Sequence, residues 1–219
     1  MRLVLLGPPA SGKGTQAALL AAHLRLPAVS TGVIIRSEIA LNTELGQRAE
    51  ALLADGKLLD DASTVAIVRN WLKARRHDLE FIMDGFPRTI PQGESFRKML
   101  REEFGTSLDA AVYLNVPHEV LRDRILGRLQ CLVCGAVYQQ QSHGVKEDDL
   151  CSECEKGKLA HRSDDTLETF EQRMLEYHTK TAPLVGFYEQ FGKLITITGA
   201  HAPETVKQMI VDGLKRLSP

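Results

Sequence analysis

Short apolar runs alternate with amphipathic stretches along most of the chain. The first run, Arg2–Leu6, leads into a glycine-rich turn, and helix-forming residues then extend from Lys13 to Leu24. Further apolar runs lie at 27–30, 80–84, 110–116 and 194–198, and helical patterns lie at 62–75, 92–103, 119–126, 167–176 and 203–217. Strands that alternate with helices are typical of a parallel sheet covered on both faces. The pattern predicts an α/β fold with a central five-stranded parallel sheet.

Residues 129–160 interrupt this alternation. The segment is polar, lacks helical periodicity and contains all four cysteines of the chain. An irregular loop of this length is uncommon inside a compact domain unless it forms a small structured unit. We therefore expect an insertion with its own source of stability.

Length and composition narrow the class of protein. The 219 residues predict one domain, or one domain with an insertion. The formal net charge of −1 argues against non-specific nucleic-acid binding, which normally needs a basic face. The apolar run at 3–6 is shorter than the roughly 7–15 residues of a signal peptide or the about 20 of a transmembrane helix. We expect a cytoplasmic protein that binds neither membranes nor nucleic acid.

The four cysteines form two Cys-x-x-Cys pairs. They are Cys131, Cys134, Cys151 and Cys154. This spacing predicts a closed, tetrahedral structural Zn²⁺ site, although iron fits four thiolates as well. In the cytosol, such clustering favours metal over disulfides. His143 and His161 lie nearby and are interpreted as surface residues, with replacement of one cysteine ligand as the alternative.

The glycine-rich turn after the first run predicts a phosphate-binding loop. It reads Gly7-Pro-Pro-Ala-Ser-Gly-Lys-Gly-Thr15. Backbone N–H groups in such a turn and the following helix N-terminus bind phosphate oxygens, and Lys13 adds a point charge. The predicted phosphate-binding residues are Gly12, Lys13, Gly14 and Thr15.

Gly12-Lys13-Gly14-Thr15-Gln16 resembles the phosphate loop of nucleoside monophosphate kinases, and of the adenylate kinase family in particular. Other motifs of that family follow in its order over essentially the whole chain. They are Ser30-Thr31-Gly32 with Arg36, the stretch Asp84–Gln92, the stretch Asp123–Arg128, the stretch Arg162–Asp165, Glu168-Thr169 with Arg173, and the stretch Tyr177–Leu184.

The resemblance implies a phosphate-loop nucleotide kinase that converts MgATP and AMP into two ADP, a monomer serving adenine nucleotide homeostasis. Its expected core comprises residues 1–29, 61–127 and 162–219. An AMP-binding arm is expected at 30–60, and a lid with the zinc site at 128–161.

Six motif arginines suit nucleotide phosphates, because the guanidinium fork stays charged and matches phosphate geometry. The resemblance implies that Arg36 and Arg88 hold the AMP phosphate. It implies that Arg124 and Arg128 approach ATP from the lid, and that Arg162 and Arg173 lie between donor and acceptor. The implied catalytic set is Lys13, Asp84, Arg88, Arg128, Arg162 and Arg173. The implied AMP-binding set is Thr31, Arg36, Gly85, Arg88, Gln92, Arg162 and Arg173.

Carboxylates and an amide complete the expected site. Asp84 ends a predicted strand, which favours organisation of Mg²⁺ through water, with a helix or turn cap as the alternative. The resemblance implies that the Gln92 amide pairs with the adenine of AMP. Asp164 and Asp165 either pair with arginines at the lid hinge or cap the helix that starts near Thr166.

Three positions depart from the family pattern: Ala10 replaces glycine, Val33 replaces aspartate, and Asp60 lies in Leu58-Leu59-Asp60-Asp61 where Val-Pro-Asp is usual. Two alternatives stay open. One is a kinase for another nucleoside monophosphate. The other is a zinc-ribbon nucleic-acid binder on an ATPase base. The segment from Cys131 to Cys154 argues against it, because it has a single lysine and its acidic run at 147–149 would repel a phosphate backbone.

Overall fold

Eight strands and ten α-helices make up the described part of the chain. The structure is a computed structural model, which describes residues 1–54, 59–75, 78–162 and 165–217. The strands are β1 (Arg2–Leu6), β2 (Ala28–Ser30), β3 (Phe81–Asp84), β4 (Ala110–Asn115), β5 (Arg128–Cys131), β6 (Val137–Gln139), β7 (Leu159–Ala160) and β8 (Leu194–Thr198). The helices are α1 (Lys13–Leu24), α2 (Thr31–Ala40), α3 (Glu44–Ala54), α4 (Asp61–Lys73), α5 (Ile90–Glu102), α6 (His118–Leu126), α7 (Gln140–His143), α8 (Leu167–Glu176), α9 (Pro183–Gln190) and α10 (Pro203–Leu217).

The central sheet is five-stranded and parallel, with the order β2-β3-β1-β4-β8, which confirms the predicted fold class. Alternate side chains of β1 lie on opposite faces of the central sheet. Leu3 and Leu5 pack in one buried cluster, and Val4 and Leu6 pack in the other. A strand buried on both faces explains why the sequence shows a continuous apolar run.

Some helices were not predicted from the sequence, or begin earlier than predicted. The apolar pattern did not predict α2, α3, α7 and α9. Helix α4 begins at Asp61 because the Asp60 carboxylate accepts a hydrogen bond from Ser63 N. Helix α5 begins at Ile90 because Thr89 caps it in the same way. A side-chain cap satisfies one of the free N–H groups at a helix start.

The cysteine-containing segment folds around a second, smaller sheet. Strands β5, β6 and β7 pair antiparallel in the order β6-β5-β7. Its own apolar cluster is buried and consists of Leu129, Cys131, Tyr138, Cys151 and Leu159. The segment therefore has a group of buried residues of its own, and its role as a lid stays a prediction.

Within the described ranges, no helix combines the length and the apolar character needed to cross a membrane.

Candidate active site

Lys13 is the first residue of α1, and its ammonium group turns back into the preceding loop. Lys13 Nζ donates hydrogen bonds to the carbonyl oxygens of Gly7 and Pro8, at 2.7 and 2.8 Å. Burial lowers the pKa of Lys13 from 10.5 to about 8; Asp84 opposes this shift and Arg88 adds to it. The loop thus holds a cation at a helix N-terminus, where N–H groups and the helix dipole favour phosphate.

The conformation of this loop requires glycine at its first residue. Gly7 has a φ of +150°, and a Cβ there would lie 2.7 Å from Ser11 Oγ and 3.0 Å from Leu114 O. Ala10, which stands where the family pattern has glycine, adopts a φ of +60°. This left-handed conformation costs a non-glycine residue about 1–2 kcal/mol. The loop therefore keeps a glycine-like backbone at Ala10 despite the substitution.

Asp84 ends β3 beside the phosphate loop. Its Oδ2 lies 3.7 Å from the point where a Cβ on Gly14 would stand. Burial raises the pKa of Asp84, and the charges of Lys13 and Arg88 oppose the rise. Thr89 caps the next helix, α5, so Asp84 is not the cap of that helix. The carboxylate therefore lies next to the start of α1 and is surrounded by the charges of Lys13 and Arg88.

A cleft of about 1640 Å³ extends from the phosphate loop to the small sheet. Residues 12–15, Asp84, Arg124, Arg128 and Arg162 all line it. Arg124 Nη2 donates to Gly199 O at 2.8 Å, which joins α6 to the turn that precedes α10. Three of the six motif arginines therefore surround one cavity with Lys13. We refer to this cavity as the donor cleft.

Arg128 and Asp165 form an ion pair at the base of the small sheet. Arg128 Nε donates to Asp165 Oδ2 at 2.6 Å, and Arg128 Nη2 donates to Asp165 Oδ1. The side chain of Asp165 is fully buried. Thr166, not Asp165, caps α8. Of the two interpretations of Asp165, the structure thus supports arginine pairing; Asp164 lies outside the described residues.

Thr31, Gly85 and Arg88 meet at the end of β2 and β3. Thr31 Oγ1 and Arg88 Nε both donate to Gly85 O, at 2.9 and 2.8 Å. Gly85 has a φ of +79°, and a Cβ on it would lie 3.1 Å from both Thr31 Oγ1 and Arg88 Nη2. The Phe86–Pro87 peptide bond that follows is cis. Glycine therefore lets two polar side chains reach the same carbonyl.

Gln92 is buried beside this group, and protein atoms already bind both ends of its amide. Gln92 Oε1 accepts a hydrogen bond from Arg88 N at 2.8 Å, and Gln92 Nε2 donates to Asp61 Oδ1 at 2.7 Å. Asp61 was absent from the predicted site residues, because no local pattern distinguishes it from Asp60. Pairing of Gln92 with adenine stays a prediction.

The other predicted arginines lie in different parts of the chain. Arg162 follows β7, and its Nε donates to Gln130 Oε1. Arg173 is half-buried on α8, which continues into a π-helical turn at Tyr177–Thr181. Thr181 Oγ1 donates to Arg88 O at 2.9 Å, so this turn contacts the group around Gly85. Arg36 belongs to α2, and its side chain lies outside the described part of the chain.

The four cysteine sulfurs form one compact group, with every Sγ within 4.8 Å of the others. The Cys131–Cys154 and Cys134–Cys151 sulfurs are each 3.6 Å apart. Four sulfurs about 2.3 Å from a tetrahedral Zn²⁺ would be about 3.8 Å apart, so the group fits the metal. A Cβ on Gly157 would collide with Cys131 Sγ, so glycine is required there.

Side chains around the sulfurs support the group. The Tyr138 hydroxyl lies 3.3 Å from Cys151 Sγ and accepts a hydrogen bond from Glu153 N. His143 is exposed, and its Nδ1 accepts a hydrogen bond from Gln139 N at 2.8 Å. His161 is exposed as well. Neither histidine belongs to the group of potential metal ligands found among the described residues.

Comparisons with known proteins agree with this arrangement. The family model described as "Adenylate kinase" matches residues 5–193. The adenylate kinase of Kosmotoga olearia is 41% identical over 217 residues, covering 99% of this chain and 100% of that protein. The adenylate kinase of Caldanaerobacter subterraneus subsp. tengcongensis is 42% identical over 98% of this chain and 96% of that protein. The adenylate kinase of Methanosarcina barkeri is 38% identical over 100% of this chain and 100% of that protein. This chain belongs to the adenylate kinase family.

Proposed function

We propose that this chain transfers the γ-phosphoryl group of MgATP to AMP, giving two ADP, with ATP in the donor cleft and AMP beside Gly85. One observation carries the proposal: Lys13, Arg124, Arg128 and Arg162 surround a single cleft that begins at the phosphate loop. Nucleotide phosphates bring several negative charges together, and a cavity lined by fixed cations complements them.

Phosphoryl transfer needs alignment and charge stabilisation more than covalent help from the protein. Lys13 and the loop N–H groups hold the donor phosphates. Arg124 and Arg128 approach them from the side of the small sheet, and Arg162 and Arg173 lie between the donor and the acceptor. Arg88 and Arg36 bind the acceptor phosphate.

Asp84 is the residue proposed to organise Mg²⁺ through bound water, because it lies beside the loop and close to Lys13. When bound with ATP, the ion neutralises charge on the phosphate oxygens. The buried carboxylate restricts where the ion and its waters can lie.

The four cysteines are proposed to hold a structural Zn²⁺ that stabilises residues 128–161 as a lid. The closed set of four sulfurs leaves no ligand position for catalysis. Closure of such a lid excludes water, so that ATP is not hydrolysed. We further propose a cytoplasmic monomer with no nucleic-acid partner, in keeping with the acidic run at 147–149.

Measurement of ADP formation with AMP, GMP, CMP and UMP as acceptors tests this function. We expect AMP to be preferred and Lys13→Ala and Arg88→Ala to lose at least about 100-fold in kcat/KM with unchanged melting temperature, since each removes a cation from a phosphate. Arg101→Ala, an exposed arginine on α5, is the matched control and retains full activity. Equal rates with all four acceptors would favour a broader nucleoside monophosphate kinase.

A further inference from the structure

Asp61 connects the start of α4 to two side chains of the acceptor motif. Its Oδ2 accepts a hydrogen bond from Thr89 Oγ1 at 2.8 Å, and its Oδ1 accepts one from Gln92 Nε2 at 2.7 Å. Asp61 lies 31 positions before Gln92 in the chain. The contact therefore joins the residue that directly follows the predicted AMP-binding arm to the residue expected to face the acceptor base.

These contacts determine which way round the Gln92 amide lies. An ionised carboxylate only accepts hydrogen bonds, so the NH₂ end of the amide must face Asp61. The backbone N–H of Arg88 only donates, so the oxygen end must face Arg88, as the 2.8 Å contact shows. Gln92 is 4% exposed, so water competes little for either end. If the amide were flipped, its NH₂ group would face the Arg88 N–H, donor against donor, and its oxygen would face the Asp61 carboxylate, acceptor against acceptor.

The orientation of this amide has consequences for the acceptor base. An amide has two N–H donors and two oxygen lone pairs, and the described contacts use one of each. Adenine carries an amino donor where guanine carries the acceptor O6. An amide whose oxygen is held in one place accepts the adenine amino group and repels guanine O6, whereas an amide free to flip accommodates both.

We propose that Asp61 is a positioning residue that sets the preference for AMP over GMP by fixing the orientation of the Gln92 amide. This inference rests on the proposed function, in which Gln92 contacts the acceptor base. Asp61 acts through Gln92 and does not touch the nucleotide.

The adjacent residue Asp60 provides a matched control. Its carboxylate accepts hydrogen bonds from Ser63 N and Ser63 Oγ, both at 2.8 Å, and caps α4. Asparagine caps helices about as well as aspartate. Asp60→Asn and Asp61→Asn are therefore identical changes in size and charge at neighbouring positions, and only the second alters the partner of Gln92.

Asp61→Asn is the informative variant because it keeps the shape of the side chain and replaces one of its two acceptor oxygens with a donor NH₂ group. The asparagine amide can present either its oxygen or its NH₂ group to Gln92, so one of the two contacts that fix the Gln92 amide no longer selects an orientation, and only the Arg88 N–H still does. Removal of one negative charge affects AMP and GMP phosphates equally. That effect cancels in the ratio of their kcat/KM values.

The experiment measures kcat and KM for AMP and GMP in the full-length enzyme, with KM for MgATP as an internal reference. We expect Asp61→Asn to lower the AMP/GMP ratio of kcat/KM about tenfold, mainly through KM, with an unchanged KM for MgATP. Asp60→Asn should leave the ratio within twofold of the parent enzyme. In a Gln92→Ala background, Asp61→Asn should have no further effect on the ratio.

Two results would overturn the inference, and they are distinguishable. If Gln92→Ala lowers the ratio but Asp61→Asn does not, Asp61 has no positioning role and the assignment of Gln92 stands. If Gln92→Ala itself leaves the ratio unchanged, Gln92 does not read the base, and the acceptor site of the proposed function fails together with the role of Asp61.

Discussion

Lys13 shows how its surroundings change the chemistry of one residue. Its ammonium group is enclosed by the carbonyl oxygens of Gly7 and Pro8, and burial lowers its pKa to about 8. Phosphate oxygens favour the charged form, so a bound nucleotide raises this pKa again. The protonation of Lys13 and the binding of a phosphate are therefore coupled.

This coupling predicts that kcat/KM for MgATP depends on pH. Because the lowered pKa means that the proton leaves as pH rises through about 8, we expect kcat/KM for MgATP to fall above that pH. The kcat profile, which reports the nucleotide complex, should fall at a higher pH. Steady-state rates between about pH 6.5 and 9.5 test this, and a flat kcat/KM over that range would contradict it.

The same titration affects stability in the opposite sense. An unfolded lysine keeps its proton up to about pH 10.5, whereas the folded one releases it near 8. The unfolded state then binds more protons between these values, so this group makes the free energy of unfolding rise with pH in that window.

At the scale of elements, the small sheet depends on close contacts at its turns. Gly157 lies between Cys154 and β7, and a Cβ there would collide with Cys131 Sγ and lie 2.9 Å from Val133 Cβ. Gly144, in the same segment, has a φ of +63°, and apart from its own and its two neighbouring residues no described residue has an atom within 4 Å of where its Cβ would stand. The two glycines are therefore required for different reasons.

We predict that Gly157→Ala separates the sulfurs and lowers bound zinc well below one ion per chain. Gly144→Ala is the control: it introduces backbone strain of about 1 kcal/mol and retains the metal. Elemental analysis and thermal unfolding of both purified variants provide the measurement. Full zinc occupancy in Gly157→Ala would show that the turn adapts to the extra methyl group.

For the whole molecule, the important feature is that its apolar clusters are separate. The clusters on the two faces of the central sheet contain none of the residues of the cluster around Cys131 and Cys151. Trp71, the single tryptophan of the chain, lies on α4 and packs edge-on against Phe81 of the central sheet. Its fluorescence therefore reports on the central sheet and not on the cysteine segment.

Removal of the proposed structural Zn²⁺ should destabilise the small sheet first. We expect chelation to increase hydrogen exchange across residues 128–161, because a structural metal contributes its binding energy to the segment that it orders. The melting midpoint reported by Trp71 fluorescence should change by less than about 2 °C. Metal loss is verified on the same sample. A matching fall in the Trp71 midpoint would show that both parts unfold together.

Local patterns in the sequence were enough to predict a large part of this protein. The five apolar runs became the five strands of the central sheet. The inner strands β1, β3 and β4 are apolar over most of their length because both of their faces are buried, whereas the edge strands β2 and β8 alternate buried and more exposed residues. The phosphate loop and the two Cys-x-x-Cys pairs are likewise recognisable, because their function depends on residues close together in the chain. Residue spacing carries the information in each of these cases.

Contacts between distant residues were decided only by the tertiary structure. Nothing near Asp61 in the chain indicates that it binds Gln92, and nothing near Asp165 indicates that it pairs with Arg128 rather than capping α8. The antiparallel pairing of the small sheet was equally invisible, since it joins residues far apart in the chain, such as Gln130 on β5 and Ala160 on β7. The sequence thus determined which groups are available for phosphate and metal binding. Folding determined which carboxylate faces which partner, because a carboxylate can cap a helix, pair with arginine or orient an amide, and only its neighbours in space select among these.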